Sequence, residues 1–117
     1  MTHRFPIRVY YEDTDLGQVV YYANYLRFIE RGRSEWLRAA GVDQRQLLEE
    51  SRLAFVVRRV EADYLRPARF DDRLEVVTTL EQASGPRVTV LQAVERDGKV
   101  LFQARVTVIC VDLRTMR

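Results

Sequence analysis

Three carboxylates, Glu12, Asp13 and Asp15, stand within four residues of one another, and an amphipathic run with helical spacing follows from Tyr22. The first turn of a helix leaves N–H groups without partners and carries the positive end of the helix dipole. A carboxylate held just ahead of that turn can serve as base or nucleophile on a carbonyl while the free N–H groups take the oxyanion. An aspartate before a helix is also a common cap, which leaves a structural role open for Asp15. Asp15 lies well ahead of the apolar pattern, however, which is far for a cap. Glu12 and Asp13 read as acceptors that order the loop, and Gly17 as the residue that supplies its tight backbone.

Few other residues offer chemistry. His3 is the only histidine, so neither a histidine-based triad nor a multi-histidine metal site can be assembled. Cys110 is the only cysteine and stands among Val108, Ile109 and Val111, a setting for burial in a strand. No metal and no cofactor are expected. The 117 residues, 47% of them apolar, suit a single domain spanning 1–117. Nineteen basic against seventeen acidic side chains are mixed along the chain, which does not point to nucleic acid. Eighteen of the basic residues are arginine and only Lys99 is lysine. A phosphate-bearing small ligand and plain arginine-rich coding both fit that bias. No stretch approaches the ~20 apolar residues of a membrane span, and a cytoplasmic protein without a transmembrane segment is expected.

The elements that would position the acids follow from periodicity. His3 to Tyr11 places Phe5, Ile7 and Val9 on one face of a strand, with Pro6 at an edge or a beginning. From Tyr22 the apolar residues Tyr22, Tyr25, Leu26, Ile29, Trp36, Leu37 and Ala40 recur at three and four, with Arg33 interrupting the stripe. Gly41 ends that helix as a C′ glycine. Arg31 with Glu35, and Arg27 with Glu30, read as surface pairs worth ~0.2–0.5 kcal/mol each. Asp43 to Ser51 reads as a short helix capped by Asp43, with Gln46 three residues on. Four strands follow, Ala54 to Leu65, Arg73 to Leu80, Arg87 to Glu95 and Lys99 to Leu113. Pro67 to Asp72 and Ser84-Gly85-Pro86 separate the first three, and Asp97-Gly98 makes a hairpin before the last. Asp71-Asp72 reads as a solvated pair in a turn, and Arg114 to Arg117 as a loose tail. The fold class is therefore α+β, a five-stranded antiparallel sheet over one long helix. One helix cannot cover the edges of such a sheet, so a homodimer with sheets joined or packed at their edges is expected.

The segment E-D-T-D-L-G-Q-V-V-Y-Y-A-N-Y-L-R-F-I-E-R-G-R-S-E-W-L, followed by F-V-V-R-R-V-E-A-D-Y-L-R-P-A-R-F-D-D-R-L, resembles the hotdog-fold acyl-CoA thioesterases. The likeness runs from Arg8 to Asp112, falls within the 4-hydroxybenzoyl-CoA thioesterase family and is closest to its Tol-Pal-associated branch. It implies that the sheet wraps around the long helix and that Asp15 is the catalytic carboxylate. It also implies that N–H groups near Tyr22 polarise the thioester carbonyl, with a second donor around Ala54 and Phe55. Sites in that family lie between subunits of a homodimer or homotetramer. Arg58, Arg59 and Arg66 are candidates for the nucleotide end of coenzyme A, and Asn24 for pinning the first turn or orienting a water. Tyr21, Tyr22, Tyr25 and Phe28 line an acyl pocket or else fill the core and the dimer contact. The sequence departs from the branch at Gln18, where glycine is usual, and at Tyr22, where histidine is usual. Tyr22 instead resembles the 4-hydroxybenzoyl branch, in which the aspartate acts without a histidine. A phenol titrating near ~10 is a poor base at neutral pH, so Tyr22 is assigned to oxyanion binding through its N–H and to pocket lining. The expected activity is hydrolysis of a short-to-medium or aromatic acyl-CoA. The alternative is a non-catalytic module that binds acyl-CoA or acyl-carrier protein or serves a membrane-associated complex.

Overall fold

Residues that alternate at a period of two form five strands, and the one long run at three and four forms the helix that crosses them. A computed structural model describes residues 2–117. Strand β1 is Thr2–Arg8, α1 is Asn24–Ala39, and α2 is Gln44–Gln46, continued by a π turn over Leu47–Ser51. Strands β2 Leu53–Tyr64, β3 Arg73–Ser84, β4 Arg87–Arg96 and β5 Lys99–Asp112 complete the chain. The sheet is antiparallel throughout in the order β1-β3-β4-β5-β2. Strands β1 and β2 are its edges, and Pro6 accordingly sits in an edge strand, where a missing N–H does least harm. Asp97 and Gly98 both take positive φ, 52° and 79°, as a two-residue type I′ hairpin requires.

One sheet face is packed. Leu74, Val76 and Thr78 of β3, Val90, Gln92 and Val94 of β4, and Phe102, Ala104 and Val106 of β5 are buried there or close to it, and α1 answers with Tyr25, Phe28, Ile29 and Gly32. Each fully buried Phe, Ile or Val side chain contributes ~1.5–3 kcal/mol against its exposed state. The buried stripe is rotated from the sequence expectation: Tyr22 and Leu26 are exposed, while Phe28 and Gly32 face the sheet. Gly32 explains the rotation. A Cβ there would lie 2.3 Å from Val76 Cγ1, so only glycine lets the helix approach β3 this closely. The helix ends at Ala39, where Val42 N–H bonds to Leu37 O and Gly41 N–H to Arg38 O, with Gly41 at φ 89°, a Schellman motif.

Other expectations are corrected. The first strand stops at Arg8 rather than Tyr11, because Tyr11–Asp13 coils into a 3₁₀ turn. Strand β3 runs past Leu80 to Ser84, absorbing an irregularity between Leu80 and Gln82. Glu35 pairs with Arg38 rather than Arg31, Glu30 accepts from Ser34, and Arg27 reaches Asn24 instead. Asp72 is not solvated: it accepts from Arg69 N–H at 2.8 Å and from Arg96 at 2.7 Å, and so fixes the turn after β2. The C-terminal residues are not loose, since Arg114 forks onto Asp112 and holds that carboxyl down at about 2. Asp43 caps α2 as expected, by accepting from Gln46 N–H at 3.0 Å.

Candidate active site

The acidic segment is a small hairpin laid between β1 and α1. Asp15 N–H bonds to Val19 O at 3.0 Å and Gln18 N–H to Asp15 O at 2.9 Å, while Thr14 and Val20 form a bridge. Bonds from Val20 N–H to Ala68 O and from Val9 N–H to Asp72 O tie the segment to the turn after β2. The positive φ of 64° falls on Gln18, not on Gly17 as the sequence suggested. Gly17 N–H donates to Asp15 Oδ1 at 2.8 Å, and a Cβ at 17 would stand a tight 3.2 Å from that oxygen. A non-glycine residue in the left-handed region costs ~1–2 kcal/mol, and glycine gives back ~0.5–1 kcal/mol of chain entropy. Gln18→Gly should therefore keep or raise stability by up to ~1 kcal/mol without changing the fold, read as the midpoint of urea unfolding.

Asp13 is the anchor of this hairpin. It is buried, with Oδ2 accepting from Tyr10 N–H and Oδ1 from Asn24 Nδ2, both at 2.7 Å, and its carbonyl accepts from Tyr21 N–H. These bonds clamp the loop onto the first turn of α1. Asn24 is itself buried and spends its side chain on Asp13 and Arg27, which pins the first turn of α1 to the loop. Asp15, by contrast, is exposed and leaves Oδ2 without a partner among the described residues.

Where the same hairpin enters α1, the N–H groups of Tyr22 and Ala23 find no acceptor among the described residues, while Asn24 N–H bonds to Tyr21 O and Leu26 N–H to Ala23 O. The Tyr22 ring is exposed and packs at 4.9 Å from Tyr21 and 6.2 Å from Tyr64. Tyr64, at the end of β2, donates its hydroxyl to Tyr22 O at 2.9 Å. Burial raises the Tyr64 phenol above its ordinary value, so at neutral pH it remains a donor. Sequence reading did not single out Tyr64, although it stands midway through the second matching block. Tyr25 and Phe28 belong to the core, with Tyr25 stacked on Phe102 at 5.0 Å and accepting from Ala68 N–H.

Ala54 and Phe55 lie elsewhere in the same chain. They open β2 opposite Val111 and Cys110, and Phe55 shares a cavity with Trp36 and Leu37 in the C-terminal half of α1. Arg58 and Arg59 follow at a register irregularity in β2, and both are exposed, Arg59 3.5 Å from Glu61. Arg66 donates to Val100 O at 3.2 Å. One chain thus carries Asp15, Tyr21 and Tyr22 on one hairpin, and Ala54 and Phe55 at the end of β2 away from Tyr64.

The chain matches the family described as the thioesterase-like superfamily over residues 9–117. It is 48% identical to the acyl-CoA thioesterase YbgC of Haemophilus influenzae over 97% of this chain and 83% of that one. It is 45% identical to the acyl-CoA thioester hydrolase YbgC of Escherichia coli over 97% of this chain and 85% of that one. Among solved structures, a probable thioesterase from Bartonella henselae superposes with a TM-score of 0.93 at 37% identity, over 97% of this chain and 94% of the other.

Proposed function

The chain belongs to the thioesterase-like superfamily, and from that premise we propose that it hydrolyses an acyl-CoA thioester with Asp15 as its catalytic carboxylate. The observation that carries the reading is that one hairpin leaves an Asp15 oxygen unpartnered and leads into two unpartnered N–H groups, of Tyr22 and Ala23, at the start of α1. A thioester carbonyl that accepts from those N–H groups is polarised where charge develops. The free Asp15 oxygen then takes a proton from an attacking water, or attacks the carbonyl itself to give an anhydride that water opens. On either route the tetrahedral oxyanion collapses with loss of thiolate, whose conjugate acid titrates near ~8.5, so no strong general acid is required. On the first route the proton held by the carboxylate passes to the thiolate, and on the second the water that opens the anhydride supplies it.

The site is completed by a second copy. Strand β2 is an edge with Val56, Val57 and Val60 exposed, an uncovered apolar strand of the kind that pairs with its own copy. Antiparallel pairing of β2 with itself about its midpoint sets Leu53 across from Tyr64 of the partner subunit. Because Tyr64 bonds to Tyr22, the partner subunit's Ala54 and Phe55 then arrive beside this chain's Tyr22, which unites the two halves of the site. Arg58 and Arg59 sit at the centre of that seam, within reach of coenzyme A phosphates. No described helix is long and apolar enough to cross a membrane, and a cytoplasmic location suits a coenzyme A thioester as substrate.

Val60→Arg tests the assembly. It adds a positive charge to each side of a seam that already carries Arg58 and Arg59. The variant should be monomeric by light scattering, still melt cooperatively, and lose roughly 10²-fold or more in kcat/KM. A monomer with the wild-type rate would show that one chain suffices.

A further inference from the structure

A cavity of about 500 Å³ lies beside α1, which makes its main contacts with β1, β3 and β4 and leaves room over β5 and β2. Trp36, Phe55, Val88 and Val108 form its apolar wall, and Glu30, Arg33 and Ser34 give it one polar end. Its volume falls in the range of small-ligand pockets, and apolar walls with a few placed polar groups are what such pockets have.

Arg33 is the unusual member. It breaks the apolar stripe of α1 and is held in place from beneath: Nη1 donates to Gln92 Oε1 at 2.9 Å. Gln92 is 2% exposed and is itself fixed by bonds from Nε2 to Ile29 O and Thr78 Oγ1, both at 2.9 Å. A guanidinium has five N–H donors, and the others on Arg33 find no acceptor among the described residues. Glu30 lies close enough to interact with Arg33 but forms no ion pair with it, its carboxylate accepting instead from Ser34. The polar end is therefore a donor fixed by Gln92 beside an exposed carboxylate, with no net charge. A bare carboxylate there would meet Glu30, whereas a hydroxyl can accept from Arg33 and donate to Glu30.

We infer that this cavity receives the acyl group of the thioester and that Arg33, positioned by Gln92, selects acyl groups carrying a hydroxyl toward their far end. The inference rests on the thioester-hydrolase reading above. In the dimer described there, Phe55 both lines this cavity and reaches the partner subunit's Tyr22, so the cavity of one subunit opens toward the reacting end held by the other.

Trp36 is the only tryptophan of the chain and lines the cavity, so its emission reports occupancy without turnover. The probes are S-alkyl-CoA thioethers from butyl to decyl and their terminal alcohols, none of which can be hydrolysed. At one or more chain lengths the alcohol should bind roughly tenfold tighter than the alkane and shift Trp36 emission, because a hydrogen bond to a charged donor is gained. Arg33→Met should leave the two equal. Should that variant fail to fold for want of a partner for Gln92, Arg33→Lys keeps the stem and charge but not the fork, and the preference should fall there too. Equal binding of alcohol and alkane at every length, a preference that survives both substitutions, or saturation by calorimetry with no change in Trp36 emission would each overturn the inference. Thiol release from the matching plain acyl-CoAs separates the two failures. Turnover without the preference removes only the role of Arg33 and the cavity, and no turnover of any acyl-CoA removes the hydrolase reading beneath it.

Discussion

Asp15→Asn should lower kcat by ~10²-fold or more while KM and the melting temperature stay near wild type. Asparagine has nearly the same shape and keeps a carbonyl oxygen for the Gly17 N–H, so the hairpin is preserved. What it loses is the basic, nucleophilic oxygen that faces no partner in the folded chain. The proposed oxyanion donors, the main-chain N–H groups of Tyr22 and Ala23, are untouched, so a residual rate is expected to remain. Steady-state kinetics of the two proteins side by side read the effect. A rise in KM at unchanged kcat would mean that Asp15 only holds substrate, and an equal drop in stability would mean that it is a structural acid.

Gly32→Ala should destabilise the protein by ~1–3 kcal/mol even though alanine is the better helix former. The added methyl would stand 2.3 Å from Val76 Cγ1 and 2.9 Å from Val76 Cβ, and Val76 is fully buried in β3 with no room to turn aside. Relief requires α1 to lift from the sheet, which pulls on the bonds joining Ile29, Arg33 and Gln92. Urea unfolding should show a lower midpoint at unchanged slope. Val76→Ala removes the obstructing methyl groups, so in the Gly32→Ala background it should cost less than it does alone, a coupling that a double-mutant cycle measures. An additive pair would place the cost elsewhere.

Much of the fold was legible because its signals are local. Alternation fixed β1 and the four later strands to within a few residues, and Gly41, Asp43 and Asp97-Gly98 marked turns whose backbone needs those residue types. The face of α1 was read less well, since two stripes of similar apolarity run along it. The choice between them is made by Gly32, a residue with no side chain to count, through a contact with β3 far away in sequence. The same limit applies to Gly17 and Gln18, where the side chain with positive φ is set by the hairpin's pairing rather than by its composition. Asp72 was read as solvated because its partner, Arg96, stands in another strand.

The candidate site was legible in parts. Asp15 and Tyr22 lie on one hairpin that leads into α1, and Asp13 orders that loop as its position suggested. Tyr64 escaped notice because its bond to Tyr22 O spans 42 residues. Ala54 and Phe55 lie at the far end of β2 from Tyr64 within one chain, and the proposed pairing of β2 edges across a dimer is what would bring them to the site.

The most direct measurement is release of free thiol from short, medium, long and aromatic acyl-CoAs incubated with the wild-type protein. The account predicts release of one thiol per acyl group freed, for at least one member of the panel, at a rate proportional to enzyme concentration. No release from any member by a folded, dimeric protein that still binds the acyl-CoAs would contradict it and leave a module that binds thioesters without cleaving them.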